Sequence, residues 1–62
     1  MNYAKCIIEL RKKMALTQSE LASILEVGVI SVSRWEQGHH EPTLKVKKHL
    51  RHLFKEADIT FD

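Results

Sequence analysis

The chain has one cysteine, one proline, two glycines and a single tryptophan among 62 residues, and it lacks any long apolar run. Each shortage closes something off. Cys6 alone cannot make an intramolecular disulfide, which fits a reducing cytoplasm. No stretch approaches the roughly 18 apolar residues of a membrane span, and no signal peptide is visible, so a soluble intracellular protein without a membrane partner is expected. So few glycines and prolines leave few places to break the backbone, which favours helices over a strand-rich fold. A chain this short makes one domain and buries only about 60% of its unfolded surface. That leaves no room for a deep catalytic cleft with a supporting shell. The expectation is not an enzyme.

What is present is a folded composition, 44% hydrophobic and 29% charged, too apolar for disorder. The net charge is only +2, so its placement matters more than its size. Lys45, Lys47, Lys48, Arg51 and Lys55 fall between Thr43 and Lys55 with no acid among them. Arg11, Lys12 and Lys13 form a second basic run, while Glu56, Asp58 and Asp62 make the tail acidic. Such clustering suits a polyanion, although charge runs also serve simply as solvated faces.

Apolar periodicity organises the rest. In "YAKCIIELRKKM", Tyr3, Ile7, Leu10 and Met14 recur at three- and four-residue steps and make one helical stripe. In "LTQSELASIL", Thr17 is an N-cap and Glu20 completes a capping box. Leu21, Ile24 and Leu25 then form the inner face, with Ala22 small. A third helix starts near Gly28 and ends at Gly38, a C-terminal cap; Val32 and Trp35 point inward, joined by Val29 or Ser31. Thr43, after Pro42, caps a fourth helix with Val46, Leu50, Leu53 and Ala57 on one face, Phe54 at its edge, and basic residues opposite. The fold expected is all-α, a small four-helix domain over residues 1–62 with a helix-turn-helix at about residues 17–37.

On these residues the chain resembles the Cro and cI repressor family, also called the Xre family, of bacterial and phage DNA-binding domains. The resemblance rests on Arg11, "LTQ" at Leu16–Gln18, "ELA" at Glu20–Ala22, Val27, Val32 and the "RWE", "G" and "EP" elements ending at Pro42. It implies a lambda-repressor-like fold, a cytoplasmic protein, and a recognition helix at about residues 28–37 lying in the DNA major groove. Carried over position by position, Val29, Ile30, Ser33 and Arg34 face the bases. Arg34 can donate two hydrogen bonds to guanine, worth about 1–3 kcal/mol of discrimination, or it can pair with Glu26 or Glu41. Val29 and Ile30 stand where amides are more usual. Either can pack on a thymine methyl, turn into the core, or meet a protein. Thr17, Gln18, Gln37, His39, Thr43 and Lys45 would contact phosphates, which fix register without carrying sequence information. Arg11 and Glu36 correspond to a partly buried structural ion pair, and Trp35 to a core residue.

Two positions depart from the family pattern. Glu26 stands where the family prefers a turn glycine, and Gly28 where Ser or Thr usually caps the third helix. Four histidines raise a metal question, but His49 and His52, adjacent His39 and His40, and a distant Cys6 do not converge on four ligands, so no metal or cofactor is expected. The reading is a sequence-specific double-stranded DNA-binding regulator, a repressor by operator occupancy, acting as a homodimer on a palindromic site. Ile59 and Phe61 are apolar tail candidates for the dimer contact, or cover for the core. The alternative is a protein-interaction module, such as the antitoxin of a toxin–antitoxin pair or an anti-repressor, in which Val29, Ile30 and the tail meet a protein partner.

Overall fold

The computed structural model describes residues 3–60. They form four α-helices and, among the described residues, no strand: α1 (Tyr3–Met14), α2 (Gln18–Leu25), α3 (Val29–Gln37) and α4 (Leu44–Glu56). Helices α2 and α3, joined by Glu26, Val27 and Gly28, make the helix-turn-helix. Helix α3 packs on both α1 and α2, and α4 closes the other side of the same pair.

Each helix contributes one stripe to a single core. It is built from Cys6, Ile7 and Leu10 of α1, Leu21, Ala22 and Leu25 of α2, Val32 and Trp35 of α3, and Val46, Leu50, Leu53 and Phe54 of α4. Ile59 completes it from beyond α4. Burying an aliphatic side chain such as Leu10, Leu21 or Leu50 contributes about 1.5–3 kcal/mol. Burial, followed by the charge of Glu9, pushes the Cys6 thiol above its ordinary pKa, so it behaves as a small apolar residue.

The stripes are rotated slightly from those expected. Cys6 is buried, whereas Met14, the last residue of α1, is 39% exposed. Helix α2 turns Ala22 inward and leaves Ile24 half out, because α3 and α4 both approach its Leu21–Leu25 side. Phe54, expected at an edge, is fully buried. Ile59 is also buried and so offers no exposed dimer contact; Phe61 lies outside the described residues.

The helix ends share one device. After α1, α2, α3 and α4 a residue enters the left-handed region: Ala15 (φ 55°), Glu26 (φ 58°), Gly38 (φ 81°) and Asp58 (φ 60°). The next amide in each case reaches back five residues, Leu16 to Arg11, Val27 to Ala22, His39 to Arg34 and Ile59 to Phe54, at 2.8–3.1 Å. This is the Schellman arrangement, which satisfies otherwise orphaned carbonyls. Leu16, Val27 and Ile59, the residues just past the turn, pack against the core. That apolar contact offsets a left-handed strain of about 1–2 kcal/mol at Ala15, Glu26 and Asp58. Glu26 therefore takes the left-handed turn without a glycine.

Candidate nucleic-acid interface

The interface begins with what holds α3 in place. Glu36, on its last turn, accepts hydrogen bonds from Arg11 Nε at 2.5 Å and Arg11 Nη2 at 3.0 Å, and from Gln18 Nε2 at 2.9 Å. Arg11 Nη1 also donates to the Leu16 carbonyl at 3.2 Å. One carboxylate thus ties α1, the start of α2 and the end of α3 together. Its side chain is 7% exposed and that of Arg11 23%. Burial pushes the Glu36 carboxyl up, but the hydrogen bonds from Arg11 and Gln18, with the guanidinium charge, outweigh it and hold the group below the usual carboxylate value.

With α3 fixed by Val32, Trp35 and Glu36, its opposite face looks outward. Val29 is 43% and Ile30 65% exposed, so neither turns into the core. Ser33 is half-buried and Arg34 exposed. Arg34 pairs with neither Glu26 nor Glu41, and among the described residues it makes no ion pair. Glu41 instead accepts from Lys47 Nζ at 2.9 Å. Gln37 Nε2 donates to Ser33 Oγ at 3.0 Å, which aligns two polar groups along the stripe. Positions 30, 33, 34 and 37 follow helical spacing, so they form one surface. It presents an aliphatic side chain, a hydroxyl, an amide and an uncommitted guanidinium, with exposed Val29 beside it.

The expected phosphate-contacting residues divide into two groups. Thr17 is committed internally: its hydroxyl accepts from the Glu20 amide at 3.0 Å, and its own amide donates to Glu20 Oε1 at 2.8 Å, a complete capping box. Gln18 has one N–H of its amide on Glu36, which leaves the second N–H to donate and the carbonyl oxygen to accept. The phosphate contact read for Gln18 from the sequence therefore omitted another role, bracing Glu36. No sequence motif marks that bond, since the two residues are 18 positions apart. His39, Thr43 and Lys45 are exposed. Thr43 caps α4 without a side-chain cap bond, and no acid occupies the first turn of α4, so the N–H groups and Lys45 face solvent at the positive end of the helix. Beside them, Leu44 is 70% exposed, an apolar residue that helical periodicity alone did not single out. Among the described residues no cluster of His, Cys, Asp or Glu could hold a metal ion, and no helix is long and apolar enough to cross a membrane.

Comparison with known proteins changes the functional frame. A family model described as the antitoxin component of a bacterial toxin–antitoxin system, MqsA, matches residues 1–60. Antitoxin MqsA of Escherichia coli (strain K12) is 40% identical over 53 residues, which are 86% of this chain and 40% of that protein. The chain thus spans about 40% of the length of this curated relative. No solved structure matches. The main functional reading drawn from the sequence, a regulator acting simply as an operator-occupying repressor, is corrected by this match in favour of the antitoxin alternative. The residues that suggested Cro and cI repressors are helix-turn-helix residues, which unrelated roles share. The chain belongs to the MqsA family of antitoxins.

Proposed function

We propose that this chain acts as an antitoxin component of a bacterial toxin–antitoxin system, a binding protein without catalytic chemistry, whose partner is a toxin protein. The family match across residues 1–60 carries this reading. Within that role the single helix-turn-helix domain offers the outer face of α3 to double-stranded DNA. Arg34 and Ser33 meet base edges, Val29 and Ile30 pack on thymine methyls, and His39, Thr43 and Lys45 hold phosphates. Gln37 and the second N–H of the Gln18 amide join the phosphate contacts, with Thr17 fixing the helix end that faces them. A single small module covers only about 600–1,000 Å² of DNA, so a homodimer on a palindromic site would supply the affinity.

One substitution separates the DNA and protein roles of the α3 face. Ile30→Glu keeps the helix, since Ile30 is largely in solvent, and places an acid where a phosphate-lined groove would sit. The expected outcome is loss of binding to duplex DNA from upstream of the chain's own gene, with binding to the toxin partner unchanged. Loss of toxin binding with DNA binding intact would instead make α3 the protein-docking face.

A further inference from the structure

The cations of this chain fall into two groups that the fold treats differently. Arg11 is locked to Glu36, Lys13 donates to the Ala57 carbonyl and lies near Glu9, and Lys47 is bonded to Glu41 and sits 5.1 Å from the Tyr3 ring centre. Lys48, Arg51 and Lys55 have no such partner. All three are exposed, and among the described residues none has an ion pair. They follow one another at steps of three and four along α4, opposite Val46, Leu50, Leu53 and Phe54. At a rise of about 1.5 Å per residue they make a straight line of charge about 10 Å long. Exposed His52 lies beside it, and no acid interrupts it.

Such a line works against the helix that carries it, because like charges three and four residues apart destabilise a helix by about 0.2–0.5 kcal/mol per pair. Among the described residues no ion pair compensates: Glu56 and Asp58 lie past the stripe at its end rather than between its charges, Asp58 in the same depression as Arg51 and Lys55. The stripe is also separate from the α3 face, since α3 and α4 each pack on α1 and α2 and each turns its outer side away from that shared core.

The charge pattern points to a second, sequence-independent site for a nucleic-acid phosphodiester backbone along Lys48, Arg51 and Lys55. Point charges at regular spacing on an open helix face suit a line of phosphates and carry no means of reading bases. The backbone would come from either the flank of the duplex held by α3 or a second duplex. The stripe itself uses none of the α3 residues, and only the flank source rests on the α3 assignment.

The test is the salt dependence of binding to a 30-base-pair duplex of mixed sequence, for the full chain and for the triple variant Lys48→Gln, Arg51→Gln, Lys55→Gln. Each neutralised phosphate contributes about 0.9 to the slope of log affinity against log salt, so the variant is expected to have a slope shallower by roughly 2–3. Its preference among different duplex sequences should stay unchanged, and its melting temperature should be equal or higher. Arg34→Ala serves as the contrasting variant: it should alter sequence preference while leaving most of the slope, so the failure of one site can be told from that of the other. Recovery of two differently labelled duplexes in one complex would assign the stripe to a second duplex, and recovery of one only would assign it to the flank. An unchanged slope in the triple variant overturns the proposal, as does binding of the stripe to anionic lipid vesicles with no effect on DNA.

Discussion

Glu36 shows how much of this domain depends on single side chains. Its carboxylate is nearly buried and accepts three hydrogen bonds from two other helices, while Arg11 keeps part of its guanidinium in solvent. The two partners should therefore be unequal when removed. Arg11→Ala leaves a buried carboxylate with only Gln18, and a loss of about 3 kcal/mol is expected. Glu36→Gln frees a guanidinium that water can reach, and the loss should be nearer 1–2 kcal/mol. Urea melts of both variants at neutral pH check the order. The pH dependence follows from the same geometry. Because the folded carboxyl titrates below its ordinary value, its contribution is fully present above about pH 4.3 and is lost as pH falls through the lowered folded value. Removing Arg11 should flatten this acid-side loss, which melts at pH 3 and pH 7 would show.

Among the helices, the sequence was legible where a local rule acts and illegible where a neighbour decides. The capping box at Thr17 and Glu20 and the left-handed Gly38 after α3 both follow from residues a few positions apart. The stripes were less legible. A helix wheel cannot say which side neighbouring helices approach from, so Cys6 was left off the stripe, Phe54 was placed too far out, and Met14 and Ile24 too far in. Ile59 was left open between a dimer contact and cover for the core for another reason. Asp58 folds the chain back in the left-handed region, and the sequence offered no glycine there to announce it. The shared helix endings carry their own prediction. Ala15→Gly and Glu26→Gly should relieve left-handed strain and stabilise by up to about 1 kcal/mol each, raising the melting temperature by about 4–8 °C per kcal/mol. Gly38→Ala should do the reverse by a similar amount. A β-carbon at Gly38 would meet no atom within 4 Å, so that loss would report the backbone alone. Thermal melts of the three variants are sufficient.

For the whole molecule, one core holds two outward faces whose chemistry differs. The α3 face mixes exposed aliphatic groups with Arg34, and the α4 face carries unpaired cations. The helix-turn-helix and the candidate face on α3 were readable because spacing and capping specify how a short helix is held. Membership of an antitoxin family was not readable in the same way, since the residues at fixed spacing serve the fold and are silent about a toxin partner. The Val29 and Ile30 pair, with amides more usual at those positions, was the one local hint that protein contact belonged among the readings. Uniform neutralisation of phosphates predicts steep salt dependence of any DNA complex, whereas a toxin interface centred on aliphatic groups should change little between low and high salt.

The most direct measurement is the affinity of the chain for duplex DNA from upstream of its own gene, against a scrambled duplex of equal length, for wild type and Arg34→Ala at near-physiological salt. An antitoxin that presents the α3 face to DNA should prefer the upstream duplex, and Arg34→Ala should lose about 1–3 kcal/mol of that preference while melting as the wild type does. Equal binding of both duplexes by the wild type, or an Arg34→Ala variant with its preference intact, would contradict the assignment of that face to DNA.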